Sequence, residues 1–507
     1  MTAPVRHPLP TSQPKPRAIV IGAGFGGLAA AARLCARGYQ VTVLEKLEQP
    51  GGRARLFRQD GFAFDSGPTI ITAPFIFEEL WSFCGGRLAD DVTLVPMEPF
   101  YRLIFDDGST FDASSDPAAM RREIARLSPG DVAGYERFFE RSKLLYKVGF
   151  EEMGTVPYSS LMDLIRSVPD IVRLEGYRSI HALVASYVKD ERIRIALSFH
   201  PLFIGGNPFS ASAIYGLIAF LERTHGVHYA MGGTHTVAQG MVKLIERQGG
   251  RITYRAPVAE ITLDGRRATG VRLESGERLE AEIVVSNADS AWTYRKLLPS
   301  HARRKWTDAK LDRSRYSMSL FVWYFGTKRR YDAVPHHTIV LGPRYKALLD
   351  DIFGAKRLAD DFSLYLHRPT ATDPSMAPEG CDGFYVLSPV PNLAGGADWS
   401  QLAEPYRRAI AKRLSETLLP GLEDEIVTSR IMTPDDFRDE LNAIHGAAFG
   451  LEPILLQSAY FRPHNMSEDI ENLFLVGAGT HPGAGLPGVV TSARILDQVV
   501  PHVSRFA

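Results

Sequence analysis

The stretch that decides the fold reads Arg17-Ala18-Ile19-Val20-Ile21-Gly22-Ala23-Gly24-Phe25-Gly26-Gly27, and it continues through an alanine-rich run to Gly38 and then Gln40-Val41-Thr42-Val43-Leu44-Glu45. The β-branched residues at 17–21 predict a short strand. Residues 22–27 fit G-x-G-x-x-G. In that pattern Gly22 permits a tight turn, Gly24 lets the backbone approach a pyrophosphate, and Gly27 lets a helix pack close to the strand. A helix is expected over 26–37 and a second strand over 40–45. Phe25 and Gly26 then fall at the helix start, where free N–H groups and the dipole favour phosphate. Glu45 stands 18 residues after Gly27, placed to hold ribose hydroxyls, with Lys46 beside it. A glycine-rich turn that merely packs would not need strand, helix and acid together. The unit predicts a dinucleotide site.

Working outward, 507 residues are too many for one simple core and suggest two interleaved domains. Lys plus Arg equals Asp plus Glu at 58 each, so nothing draws the chain to nucleic acid. Cys35, Cys84 and Cys381 lie far apart with no C-x-x-C spacing, which argues for a reducing compartment and against a disulfide framework or a zinc site. No metal is expected. Residues 1–16 hold five prolines and no apolar core of a signal peptide, and read as a flexible arm. Residues 18–34 are apolar enough to suggest a membrane span, but their glycines and strand–turn–helix pattern argue otherwise.

The next segment extends the dinucleotide site. Pro50-Gly51-Gly52-Arg53-Ala54 suits a loop passing close to a ligand, with the Arg53 fork available to phosphate. It is followed by Arg58-x-x-Gly61-x-x-x-Asp65-x-Gly67-Pro68. Near the other end stands Asn472-Leu473-Phe474-Leu475-Val476-Gly477-Ala478-Gly479-Thr480-His481-Pro482-Gly483-Ala484-Gly485-Leu486-Pro487-Gly488-Val489. Here a strand ends in small residues, so a ligand can lie against bare backbone, and a helix is expected from about Gly488, its N–H groups facing that ligand. One strand over 251–264, with Val258 near its centre, and a meander through 285 are also expected. Further strands are expected at 319–325, 362–366 and 384–390.

The paired glycine segments resemble the FAD-dependent amine oxidase and carotenoid desaturase superfamily. The C-terminal run, with Thr480 and His481 where many relatives carry an acid, is similar to the bacterial-type phytoene desaturases, as are Phe199-His200, Gly205 to Phe209, Phe362 to His367 and Gln457 to Asn465. The resemblance covers nearly the whole chain after the arm. It implies an α/β fold: a Rossmann-type FAD-binding domain of the glutathione-reductase/amine-oxidase kind (17–115, 226–300, 466–507), interleaved with an α+β substrate domain (301–465) and a helical lid or membrane region (116–225). It implies FAD as cofactor, held by Gly22, Gly24, Phe25, Gly26, Gly27, Glu45, Lys46, Gly52, Arg53, Gly67, Pro68, Val258, Gly479, Thr480, Gly488 and Val489. The substrate implied is 15-cis-phytoene, desaturated through phytofluene, ζ-carotene and neurosporene to lycopene in carotenoid biosynthesis; a neurosporene-forming or other carotenoid desaturase and a flavin amine oxidase are the alternatives. Asp163 and Arg166, three apart on an expected helix, align with the family's proposed acid–base pair, and His481 is a further catalytic candidate. The substrate lives in the bilayer, so the protein is expected peripherally on the cytoplasmic face of the membrane, touching lipid through 159–229. A quinone or oxygen is expected to accept the electrons. Residues 204–221 and 316–325 are expected to line an apolar cavity.

Overall fold

Ala18, Ile19, Val20 and Ile21 are all buried. Such a strand must be covered on both faces, as in a parallel sheet. The computed structural model, which describes residues 15–506, places it at the centre of a five-stranded sheet. The order is Leu473–Leu475, Ile283–Ser286, Arg17–Ile21, Gln40–Leu44 and Arg251–Thr253, and every pairing is parallel. Ile19 pairs with Val284 on one side and Thr42 on the other. The sheet is therefore assembled from three separated stretches of chain. Most of the expected arm, residues 1–14, lies outside the described residues.

One face carries the helices Phe25–Ala36, His235–Arg247 and Leu486–Val499 over a core of Leu28, Val237 and Val490. Arg33, nearly fully buried, staples this layer: it reaches Asp497 at 2.6 Å on the last helix and Glu79 on the helix Pro74–Phe83. The other face carries the helix Ser290–Lys296 and an antiparallel sheet of Val258–Asp264, Arg267–Leu273 and Arg278–Glu280. The single strand expected over 251–264 is thus two strands in two sheets. Arg255 adopts φ 53°, and Pro257 has no N–H to donate to a ladder, so pairing stops between them.

A second, seven-stranded sheet runs Ile426–Met432, Ser319–Thr327, Asp382–Val390, Leu364–His367, His337–Val340, Tyr101–Ile104, Thr110–Ala113. Its last two strands come from the stretch read as the first part of the cofactor domain. They belong here because Tyr101, Leu103 and Phe111 bury into the aromatic core shared with Phe138, Phe199 and Tyr385. Ser319–Thr327 is buried throughout and shows the strand period plainly. Phe321, Trp323 and Phe325 face the helix Trp399–Glu416, with Phe321 5.7 Å from Trp399. Met318, Leu320 and Val322 face the opposite way. Helices at Pro117–Leu127, Val132–Leu145, Leu161–Arg173 and Leu217–His225 cover that side.

Candidate active site

The carboxyl ends of the parallel strands open onto one cavity of about 1150 Å³. That exceeds the ~300–1,000 Å³ of ordinary small-ligand pockets, so there is room for a cofactor and a substrate together. Gly22, Gly24, Phe25 and Gly26 form its floor. Gly27 does not face the cavity. A Cβ there would sit 2.0 Å from the Gly22 carbonyl oxygen, so the glycine is what lets helix and strand meet. A Cβ on Gly26 would lie 2.9 Å from the Gly477 backbone. Early and late segments of the chain meet at this point, with Asn287 Oδ1 packed beside the two glycines.

Glu45 is buried, with Oε2 accepting from the Ala23 N–H at 2.6 Å and Oε1 from the Leu47 N–H at 2.8 Å. Its carboxylate thereby ties the fingerprint turn to the second strand, and its remaining lone pairs face the cavity. Lys46 donates to the Asp439 carbonyl at 2.9 Å and to Asn442 Oδ1 at 3.0 Å, bracing the rim. Gly52, Arg53, Gly67, Pro68 and Val258 all line the wall, and Arg53 Nε is buried with no partner. The helix Phe25–Ala36 has no side-chain cap and no acid in its first turn, which leaves its N–H groups to an anion. An uncapped helix, an orphaned guanidinium and a carboxylate with spare lone pairs fit the pyrophosphate and ribose of FAD.

The C-terminal wall differs in detail from expectation. The helix starts at Leu486, not Gly488, after Gly485. Gly488 and Val489 do line the cavity, but Gly479 and Thr480 are not among its lining residues. Gly479 packs against Ser290, where a Cβ would meet Oγ at 2.4 Å, and Thr480 donates to the Pro463 carbonyl at 2.6 Å. Of the four residues Gly477 to Thr480, Gly477 and Ala478 line the cavity. Asn287 and Asp289, at the end of the strand Ile283–Ser286, also line the floor. Sequence reasoning missed both, although they lie within three residues of the end of a β-branched strand, the position from which Rossmann sheets present ligand groups.

Beyond the nucleotide half the lining turns apolar. Met318, Leu320 and Val322 come from one strand face, and Ile204, Leu217 and Leu221 from the helical side. Polar groups interrupt it, Glu222 and His481 among them. Glu222 is buried, accepts from the Tyr101 hydroxyl at 2.8 Å and stands 3.3 Å from His200 Nε2; no sequence motif pointed to it. His481 lines the cavity and is only 7% exposed. Its Nε2 donates to the Met153 carbonyl at 3.1 Å, and its Nδ1 is buried without a partner. Burial pushes its pKa down to about 4, with the nearby Arg462 charge helping and the Met153 bond opposing. Asp163 and Arg166 share the helix Leu161–Arg173, but neither lines the cavity; Leu164 and Ile171 do. The Asp163 carboxylate closes a capping box, accepting from the Ser160 N–H and Oγ–H at 2.9 Å each, and Arg166 is exposed.

Fold and site together define a flavin-dependent oxidoreductase with a large apolar substrate chamber. The family model for flavin containing amine oxidoreductases matches residues 25–495. A neurosporene-forming phytoene desaturase of Cereibacter sphaeroides is 51% identical over 96% of this chain and 95% of its own length. A lycopene-forming phytoene desaturase of a Paracoccus species is 49% identical over 95% of this chain and 97% of its own. A solved oxidoreductase from Methanosarcina mazei shares the fold at 19% identity, with a TM-score of 0.63 over 95% of this chain and all of its own. The chain belongs to the flavin containing amine oxidoreductases and, within them, to the bacterial-type phytoene desaturases, a family of FAD-dependent carotenoid desaturases.

His481 sets a pH dependence. Its pKa is about 4 in the fold and near 6.5 when the chain is unfolded, so between these values the unfolded chain binds more protons. Stability contributed by the neutral ring is complete above about pH 6.5 and is lost as pH falls towards 4. Urea midpoints of wild type and His481→Gln, measured from pH 7 to 4.5, are expected to fall more steeply in the wild type; parallel curves would contradict the assignment.

Proposed function

We propose that the protein desaturates phytoene stepwise through phytofluene, ζ-carotene and neurosporene to lycopene. The observation that carries this reading is the cavity of about 1150 Å³ whose nucleotide half passes directly into a largely apolar half, which suits a polyene. FAD, when bound, supplies the hydride acceptor. The chain's own task is then to align an allylic carbon, exclude water and take a proton. Loss of hydride from an allylic centre makes the neighbouring C–H strongly acidic, so a weak base suffices. His481 suits that task. Its Nε2–H is fixed on Met153, its ring is neutral, and the lone pair on Nδ1 is free to accept. Tyr158 braces the ring edge-on at 4.9 Å. The geometry favours His481 over Asp163, whose Oδ2 is committed to a helix cap and which does not line the cavity.

Access from lipid is supported by the helix Leu161–Arg173. Leu161, Met162, Ile165, Val168 and Val172 are exposed on it, at 46–58%. The turn Ala459–Phe461 packs beside this helix, and nearby Leu456 is 71% exposed. Leu164, Ile171 and Ala459 line the cavity from the same elements, so the apolar patch surrounds a route inward. No helix among the described residues is long and apolar enough to cross a membrane. Peripheral docking by this patch delivers the substrate without a span.

Phytoene supplied to the purified, FAD-loaded protein in liposomes is expected to yield lycopene. Accumulation of neurosporene as the end product would assign the chain to the shorter reaction of its 51%-identical relative, and no desaturation at all would end the reading. His481→Gln is expected to bind FAD normally and lose about 10² in kcat. A collapse in Asp163→Asn with His481→Gln unaffected would move the acid–base role to the helix. In flotation with anionic liposomes, wild type is expected to rise with lipid, while Leu161→Ser/Ile165→Ser/Val172→Ser stays in the dense fraction with its flavin spectrum unchanged.

A further inference from the structure

Three histidines meet inside the seven-stranded sheet, away from the nucleotide floor. His337 and His367 are direct partners on adjacent antiparallel strands, so their side chains share a face. His336 precedes the first of these strands and is held against the second by the Arg368 N–H, which donates to its carbonyl at 2.9 Å. All three are buried. One ring nitrogen from each lies within 4.8 Å of the others, and His336 Nε2 is 3.0 Å from His367 Nε2. From these atoms the geometry points to a binding site for one divalent cation of the imidazole-preferring kind, Zn²⁺ foremost.

Zn–N bonds of ~2.0–2.1 Å in a tetrahedron place ligand nitrogens about 3.4 Å apart, inside the range these atoms span. Two of the three far nitrogens are arranged as ligating imidazoles require. His336 Nδ1 is 2.7 Å from Thr372 Oγ1, and His337 Nδ1 is 2.6 Å from the Tyr365 hydroxyl; each can donate outward and leave its Nε2 lone pair for a metal. Without an ion the cluster satisfies itself badly. His337 Nε2, His367 Nδ1 and the Tyr229 hydroxyl are all buried with no hydrogen-bond partner, and the Tyr229 ring stands 4.6 Å from His336. Burial keeps the three rings unprotonated, with His336 pushed down to about 3. Three imidazoles suit a borderline metal and offer little to Ca²⁺ or Mg²⁺. The spacing of the cysteines had argued against zinc, but this site uses none of them. Tyr365 also lines the substrate chamber and bonds Thr69 at 2.7 Å, so the ion would fix part of the chamber wall from behind.

The test is metal content of the FAD-loaded full-length protein, expressed with zinc and passed through a desalting column. About one zinc per chain is expected, falling at least about tenfold in His337→Asn/His367→Asn. Replacement by Co²⁺ is expected to give visible ligand-field bands of a tetrahedral nitrogen site, read apart from flavin after cofactor removal. Wild-type protein without stoichiometric metal, or a variant with native circular dichroism and undiminished zinc, would overturn the assignment. Should the variant fail to fold, the wild-type stoichiometry and the Co²⁺ spectrum decide it alone.

Discussion

The contact between the helix Phe25–Ala36 and the first strand governs everything built around it. With Gly27 against the Gly22 carbonyl and Gly26 against Gly477, the helix N-terminus is driven down to the level of the sheet's carboxyl edge. Any side chain at these points would lift the helix by more than the length of a hydrogen bond's tolerance. Its N–H groups would then miss an anion, and the C-terminal wall would lose its seat. The sheet, the cofactor floor and the closing helix are therefore one packing problem, solved by missing atoms.

How much of this was legible depended on whether the information was local. The fingerprint turn, Glu45 and the Gly51-Gly52-Arg53 loop carry their reasons in adjacent residues, and the structure places Glu45 and Arg53 on the cavity. The C-terminal run was legible as a wall but not by residue: which of four small residues faces inward depends on Ser290 and Pro463, far away in sequence. The split of the expected strand at Arg255 and Pro257 was readable from proline alone, yet the strong β-branched pattern on both sides masked it.

Other features have no local signature. Glu222 stands at the cavity wall bonded to Tyr101, far earlier in the chain, which joins the second sheet rather than the first. Asp163 shows the opposite failure. Its position in the family pattern suggested chemistry, while Ser160, three residues before it, provides the structural use that the structure displays.

The strand Ser319–Thr327 has a further consequence. Its two faces serve different masters: alternate residues wall the substrate chamber, and those between them anchor the Trp399–Glu416 helix. A change in chamber width made on this strand is free to occur without disturbing that anchor only if it keeps to the residues of one parity. Changes of chamber width on this strand are thereby channelled into every second position, with the intervening aromatic residues acting as a fixed backing plate.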